Sequence, residues 1–369
     1  MFAHQIVGVG GPDDVRWTEV PEPAADGGVV VDVIAAGVSF ADLLQTRGAY
    51  QMRVPLPYTP GMDAAGVVRP SGPGSGQFTG QRVAVLQSYG CWQQVISVPA
   101  ERVLPLPDGM SFEAGAATPL NYLTGLFALV RRGRAQAGET LLIHGAAGGV
   151  GTAAIQLGRA LGLRTVAVVG DEAKREFATR CGADHAVLGG GWLAAVRDLV
   201  GERAVDIVLD PVGSTASGSM ASGPGGSTEP GSMASGQGGS TASGRGGSTA
   251  SGPGGSDRMT DSLRALAPEG RVLVLGFAGG EIPAVKVNRL LLGNTGVLGV
   301  ASREFFEQRP GLVGELWAQL VELRRAGKLD DPPVEAYPFG DARGALRAIA
   351  DRRAKGKVVL SRQVDAELA

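Results

Sequence analysis

Residues 140–152 read TLLIHGAAGGVGT, and this stretch decides the fold of the chain. An apolar strand over 141–143 runs into a turn with glycines at 145, 148, 149 and 151. Glycine lets the backbone turn sharply and approach a ligand, and the unpaired amides that open a helix suit a pyrophosphate. From Val150 onward apolar residues recur at helical spacing. Strand, glycine-rich turn and amphipathic helix, in this order, predict a site for a nicotinamide or flavin dinucleotide.

Length and composition narrow the class of protein. A chain of 369 residues predicts two domains. The net charge of -2 and the isoelectric point near 6.0 carry no electrostatic signature of nucleic-acid or membrane binding. Two cysteines are too few for a disulfide framework and fit a reducing cytosol. Because no apolar run approaches bilayer length and the N-terminus lacks a signal-peptide pattern, we expect a soluble, cytoplasmic protein.

Two patterns divide the chain near residue 117. Short apolar runs separated by glycine and proline predict a mostly-β region over 1–117, and a helical turn is expected within 39–48. From 118 onward strands alternate with helices, which predicts a doubly wound parallel sheet with ligand sites past the strands' carboxyl ends. The predicted strands are 29–36, 65–68, 82–86, 91–98, 141–143, 165–169, 186–188, 205–209, 271–275, 297–300 and 357–360. The predicted helices after the glycine turn are 171–181, 192–200, 258–267, 312–326 and 341–353.

Residues 214–256 differ from the rest of the chain because they repeat STASG-like and GGS units. Such a segment has almost nothing to bury and is predicted to be a disordered coil inserted into a strand-to-helix loop. It is either an inert insert or engineered linker, or a regulatory or partner-binding segment.

Five parts of the chain resemble the zinc-free quinone oxidoreductase branch of the medium-chain dehydrogenase/reductase superfamily. They are GVSFAD with GAY at 37–42 and 48–50, PGMDAAG at 60–66, the glycine turn at 144–151, GFA at 276–278 and GKVVL at 356–360. The resemblance implies a Rossmann domain and a GroES-like, mostly-β substrate domain formed by both chain ends, with the active site between them. It also implies a homodimer joined through the strand near 297–300.

The resulting domain prediction assigns 1–117 to the GroES-like domain and 118–326 to the Rossmann domain, which the insert at 214–256 interrupts. Residues 327–369 are expected to return to the GroES-like domain, since the closing strand has no partner nearby in sequence.

Residue types argue against a catalytic zinc. Where zinc-dependent relatives use a cysteine this chain has Ser39, and where they use a His-Glu pair it has Met62-Asp63. A thioether and a neutral hydroxyl are poor zinc ligands, and the three histidines lie outside any metal-ligand spacing. No metal site is predicted.

The choice between NADPH and NADH depends on the end of the second Rossmann strand. Asp171 is placed to hold a ribose hydroxyl of NADH, although capping the next helix explains it equally well. Lys174 matches the position from which the family reaches the 2′-phosphate, so we favour NADPH over NADH. The predicted cofactor-binding residues are Thr124, Ala147, Gly148, Gly149, Val150, Gly151, Gly170, Lys174, Gly276, Phe277 and Ala278.

Without a metal, the feasible reaction is hydride transfer to an acceptor that is already electrophilic. Tyr50 and Ser39 are the candidate catalytic residues, and His144 is expected to be a buried turn residue rather than a base. We expect an NADPH-dependent reductase of quinones. The alternatives are reduction of an α,β-unsaturated carbonyl or enoyl thioester on the same fold, or an NADPH-binding sensor or structural protein without turnover.

Overall fold

The computed structural model describes residues 1–24, 27–70, 76–215 and 257–362. Its strands are β1 (Phe2–Ile6), β2 (Val15–Glu19), β3 (Val29–Val38), β4 (Asp63–Val68), β5 (Arg82–Leu86), β6 (Val95–Val98), β7 (Val103–Pro105), β8 (Thr140–His144), β9 (Arg164–Val169), β10 (His185–Leu188), β11 (Val205–Asp210), β12 (Ser214–Thr215), β13 (Leu266–Val274), β14 (Gly280–Glu281), β15 (Gly296–Gly299), β16 (Val334–Pro338) and β17 (Lys357–Ser361). Its α-helices are α1 (Phe40–Thr46), α2 (Phe112–Thr118), α3 (Thr124–Leu126), α4 (Gly149–Ala160), α5 (Glu172–Arg180), α6 (Trp192–Val200), α7 (Arg258–Ala265), α8 (Val287–Gly293), α9 (Ser302–Gln308), α10 (Gly311–Arg325) and α11 (Ala342–Ala350). Two π-helical segments, Pro119–Leu123 and Phe127–Arg132, flank α3.

A six-stranded parallel sheet has the order β10-β9-β8-β11-β13-β15. All five residues of β8 are buried, as expected for a strand covered by helices on both faces. The strand order reverses between β8 and β11. In open parallel sheets, ligands bind in the crevice at such a point, beyond the carboxyl ends of the strands. The predicted doubly wound Rossmann fold is confirmed, with the glycine turn at the reversal.

A second sheet draws its strands from both ends of the chain. Its order is β16-β17-β3-β4-β5-β7, and β6 also pairs with β3. β17 lies antiparallel to β3, with Val359 opposite Gly37. This arrangement confirms the predicted mostly-β, GroES-like unit to which the chain returns.

Several element limits differ from the predictions. The helix predicted at 258–267 ends at Ala265, since Ala267 precedes a proline and Leu266 instead pairs with Val205. The strand predicted at 91–98 begins only at Val95, because the amide of Trp92 donates to the carbonyl of Pro60 rather than to β3.

Short or edge strands were missed altogether. β1 and β2 form a hairpin, and β16 is an edge strand whose side chains are largely exposed. The first two residues of the predicted insert, Ser214–Thr215, form β12 and pair with Gly280–Glu281, so the prediction of a coil from 214 was wrong at its start. The remainder of that prediction, 216–256, lies outside the described residues.

Within the part of the chain that the structure describes, no helix combines the length and the apolarity that crossing a bilayer requires.

Candidate active site

The glycine turn, residues 145–151, joins β8 to α4 and leaves the first helical amides without a side-chain cap. Gly148 is the residue before the helix and contributes no capping hydrogen bond. A Cβ on Gly151 would collide with the carbonyl oxygen of Gly145 and the Cα of Ala146. The turn can therefore fold this tightly only with glycine at 151, and its amides and helix dipole are left for an anion.

Asn121 lies against this turn and was not predicted. The residue is 4% exposed, and its Nδ2 has no hydrogen-bond partner among the described residues. A Cβ on Gly149 would come within 2.5 Å of that nitrogen. A buried donor without an acceptor is costly, so a group that fits here should offer an oxygen. No local pattern in the sequence distinguishes Asn121 from other helical residues.

The end of β9 offers an open position at Gly170, where an added Cβ would meet nothing within 4 Å. Asp171 caps α5 by accepting a hydrogen bond from the Lys174 amide at 2.9 Å. This bond and the Lys174 ammonium lower the pKa of the Asp171 carboxyl. The capping interpretation of Asp171 is thus observed, while Lys174 Nζ donates to the carbonyl of Arg352 at 2.6 Å.

The return loop, residues 351–356, closes over the glycine turn from the C-terminal part of the chain. The Gly356 amide donates to the carbonyl of Ala147 at 2.8 Å, and Gly356 forms a parallel bridge with Gly148. Together with the contact between Lys174 and Arg352, this packs the return loop along both the turn and the start of α5.

Tyr50 lies opposite α9, which belongs to the Rossmann half of the molecule. The guanidinium carbon of Arg303 is 5.7 Å from the centre of the Tyr50 ring. Burial raises the pKa of the Tyr50 hydroxyl, and the charge of Arg303 opposes that shift. Thr124 is held beside the same helix, with its Oγ1 3.0 Å from the Oγ of Ser302. Residues predicted from separate motifs therefore meet along α9.

Three family models match parts of this chain. The model described as "Alcohol dehydrogenase GroES-like domain" matches residues 25–108, and two described as "Zinc-binding dehydrogenase" match 149–223 and 252–360. The synaptic vesicle membrane protein VAT-1 homolog of Rattus norvegicus is 30% identical, covering 96% of this chain and 82% of that protein.

Two solved structures share the fold over nearly the whole chain. A protein from Mycobacterium abscessus, described as a probable oxidoreductase, is 36% identical with a TM-score of 0.79, covering 98% of each chain. The quinone oxidoreductase from Thermus thermophilus, also solved with NADPH, is 31% identical with a TM-score of 0.72, covering 98% of this chain and 100% of the other. The chain belongs to the quinone oxidoreductase branch of the medium-chain dehydrogenase/reductase superfamily. It is an oxidoreductase of that superfamily.

Because some members of this superfamily bind zinc, the chemistry of Ser39, Met62 and Asp63 decides whether a metal ion could bind here. Ser39 caps α1, and its Oγ donates to Asp42 Oδ2 at 2.5 Å. Both oxygens of Asp63 accept from Lys357 Nζ, at 3.0 and 2.9 Å. Since Met62 adds only a thioether, these residues do not fit a zinc ion. Over the described ranges, no group of three or more His, Cys, Asp or Glu is placed to hold a metal.

Ser39 borders a buried charged cluster formed by Asp42, Asp63 and Lys357. Burial raises the pKa of Asp42 to about 6, although the hydrogen bond from Ser39 and the Lys357 charge oppose the shift. Burial likewise raises the pKa of Asp63, opposed chiefly by Lys357. Ser39 therefore has a structural role as the cap of α1, and its hydroxyl already donates a hydrogen bond to Asp42.

The GFA motif, residues 276–278, follows β13 at the same edge of the sheet as the glycine turn. The Ala278 amide donates to the carbonyl of Pro211 at 3.2 Å. Phe277 stays partly exposed and packs close to Gly213. The motif therefore lies next to the end of β11.

His144 ends β8 and is fully buried. Its Nε2 lies 2.9 Å from the Ser262 hydroxyl, and its ring meets Trp192 edge to face. Burial lowers the pKa of His144 to about 3. As expected from the sequence, this histidine is a neutral residue of the fold and does not face the crevice.

Proposed function

We propose that this protein is an NADPH-dependent, metal-independent oxidoreductase that transfers a hydride to a quinone. The observation that carries the proposal is the glycine turn at the strand reversal, with uncapped helix amides and the unpartnered Asn121 Nδ2 aimed at it. The uncapped helix amides fit the diphosphate of a dinucleotide, and the Asn121 amide fits an oxygen acceptor beside it. The identity to a quinone oxidoreductase solved with NADPH supports the same assignment.

In this proposal a bound NADPH supplies the hydride, and the chain's residues bind, orient and exclude water. Residues 147–151 hold the diphosphate, and Thr124 and residues 276–278 lie toward the nicotinamide. Tyr50 borders the acceptor, while Ser39 keeps α1 in place beneath it. We propose no metal ligand, because the donor set at Ser39, Met62 and Asp63 does not fit one.

The preference for NADPH over NADH rests on positive charge gathered near Gly170. The Lys174 ammonium lies 3.3 Å from the Asp171 carboxylate and donates to the backbone carbonyl of Arg352, and the Lys355 charge contributes to lowering the pKa of Asp171. Burial lowers the pKa of Arg258, and the nearby Arg352 lowers it further. A cluster of this kind beside an open backbone position suits a 2′-phosphate.

Replacing Lys174 with alanine is expected to raise the dissociation constant for NADPH about 10-fold or more, since a charge-assisted hydrogen bond is lost. The constant for NADH should change less than about twofold, because NADH lacks the phosphate. Binding is measured by nucleotide fluorescence. Arg180→Ala, which removes the same charge at the far end of α5, is the control. If Lys174→Ala weakened the binding of NADPH and NADH equally, Lys174 would not contact the 2′-phosphate.

The acceptor is tested by following NADPH consumption with 1,4-benzoquinone, with a cyclic enone and with an enoyl thioester side by side. We expect the quinone to be reduced with the highest kcat/KM. A higher value for the enone or thioester would replace the quinone assignment with the alternative chemistry. NADPH binding without consumption of any acceptor would favour a sensor or structural role.

We also propose a homodimer formed at the β15 edge of the Rossmann sheet. The helix directly before this strand, α8, leaves Val287, Leu291 and Leu292 exposed by 72%, 75% and 77%. Leu291→Glu combined with Leu292→Glu should shift the protein from dimer to monomer in size-exclusion chromatography with light scattering, because like charges would meet at the interface. Leu199→Glu, on α6, should leave the mass unchanged. A monomeric unmodified chain would contradict the proposal.

A further inference from the structure

The Asp210 loop, residues 210–213 with the sequence DPVG, follows the carboxyl end of β11 and touches both the glycine turn and the GFA motif. β11 pairs with β8 on one side and with β13 on the other, so the loop lies between the two segments that follow those strands. Val212 reaches the glycine turn, because a Cβ on Gly145 would lie 3.0 Å from the Val212 Cγ2.

The GFA motif is hydrogen-bonded to the same loop. The Ala278 amide donates to the Pro211 carbonyl at 3.2 Å. The following amide, that of Gly279, donates to the Val212 carbonyl at 2.7 Å. Two successive backbone hydrogen bonds fix the position of one segment relative to another. The Asp210 loop therefore sets the spacing between the glycine turn and the GFA motif.

The shape of this loop depends on the side chain of Asp210, which is fully buried. Its Oδ1 accepts hydrogen bonds from the Val212 amide at 2.8 Å and from the Gly213 amide at 3.0 Å. Aspartate closes turns in this way, by accepting from backbone amides that follow it closely in the chain. Because Pro211 has no N–H group, Oδ1 takes both amides that the loop offers after the strand.

The acceptor at Oδ1 does not depend on the charge of Asp210. Burial raises the pKa of the Asp210 carboxyl, and the two amide hydrogen bonds and the nearby charge of Arg258 oppose this rise. An oxygen of the carboxyl can accept from the amides in either protonation state. An asparagine, which also presents an oxygen acceptor, should therefore hold the loop in the same shape.

We propose that Asp210 is a positioning residue for the dinucleotide, because it holds the glycine turn and the GFA motif at the spacing that lets one NADPH molecule contact both. This assignment rests on the proposed function, in which the turn holds the diphosphate and residues 276–278 lie toward the nicotinamide. Asp210 acts through the backbone of its loop, since its carboxyl is buried and bonded within the loop. Its contribution therefore falls on the nicotinamide half of the dinucleotide and not on the adenosine half.

The assignment is tested by calorimetric titration with NADPH and with adenosine 2′,5′-bisphosphate, which has the adenosine half but no nicotinamide. Asp210→Ala is expected to raise the dissociation constant of NADPH about 10-fold, since the two loop amides lose their acceptor. The constant for adenosine 2′,5′-bisphosphate should change less than about twofold. Asp210→Asn should restore NADPH binding to within about twofold, because the oxygen acceptor is kept.

Asp206 supplies a matched control on the same strand. It lies near the amino end of β11, where its Oδ2 accepts from the Thr140 amide at 2.7 Å. Asp206→Ala thus removes a carboxylate that also accepts a backbone amide, but at the end of the strand away from the glycine turn. This variant should bind both ligands as the unmodified protein does.

Several results would overturn the role of Asp210 alone. They are unchanged NADPH binding in Asp210→Ala, equal weakening of both ligands in that variant, an equal loss in Asp206→Ala, or no recovery in Asp210→Asn. If Asp210→Ala does not fold, amide hydrogen exchange in the unmodified protein decides. Slow exchange at Val212 and Gly213 would support the assignment, and exchange at the rate of free amides would overturn it. Failure of the unmodified protein to bind NADPH would overturn the proposed function and, with it, this assignment.

Discussion

Replacing Lys357 with methionine is expected to lower the free energy of unfolding by about 3–5 kcal/mol, because it strands the Asp63 carboxylate in the core. The two side chains are 3% and 1% exposed, and the ammonium lies within 3.0 Å of both carboxylate oxygens. The Leu120 amide also donates to Asp63, at 3.3 Å, but one amide cannot replace a full positive charge. Urea denaturation at neutral pH measures the loss.

A double variant distinguishes a stranded charge from a general packing defect. Asp63→Leu combined with Lys357→Met should recover most of the stability, since replacing both members of a buried pair with apolar groups is often nearly neutral. The exposed pair of Arg353 and Asp351 supplies the control, and Arg353→Met should cost less than about 1 kcal/mol. If Lys357→Met cost no more than this control, the pair would have no stabilising role.

Acidification is expected to destabilise the fold through His144 by roughly 1.4 kcal/mol for each pH unit between about pH 6 and pH 4. Burial lowers the pKa of His144 to about 3 from an ordinary value of 6.5. The unfolded chain therefore binds a proton in this range that the folded chain excludes. The stability that depends on neutral His144 is complete above pH 6.5 and is lost as the pH falls toward 3.

The contribution of His144 is isolated by comparison with His144→Gln, because other groups titrate in the same range. Asp42, whose pKa is raised to about 6, gives the opposite slope: its contribution to stability is complete below the unfolded value of 3.8 and is lost as the pH rises through 6. The stability difference between the unmodified protein and His144→Gln should shrink steadily as the pH falls. A difference that stayed constant from pH 7 to pH 4 would show that His144 is protonated without penalty in the fold.

Lys357 also links the stability of the fold to the position of the return loop at the glycine turn. It begins β17 directly after Gly356, whose amide holds the glycine turn through Ala147. Gly37, opposite Val359 in the sheet, leaves no room for a side chain because an added Cβ would collide with Asp63. The buried pair thus fixes the strand that delivers the return loop to the nucleotide crevice.

The local sequence predicted the backbone frame of the site. Residues 140–152 gave strand, turn and helix where the structure has β8, the turn and α4. Asp171 was predicted as a possible cap of α5 because its neighbours alone determine that role. These predictions succeeded because strand period, helix period and capping are decided within a few residues.

Other features depend on residues that are far apart in the chain. Lys357 and Asp63 are 294 positions apart, and Lys174 and Arg352 are 178 apart. The unpartnered Nδ2 of Asn121 lies against Gly149, and the unpartnered Nε of Arg303 lies beside Tyr50. No periodicity marks any of these side chains.

The sequence by itself determined the two fold units, the place of the glycine turn and the lack of zinc-type ligands at 39 and 62. Only the tertiary structure decided which charges are buried together, which donors stay unpaired and which segment closes over the turn. The physical reason is that backbone conformation responds to near neighbours, whereas burial and the pairing of polar groups are set when distant segments pack against each other.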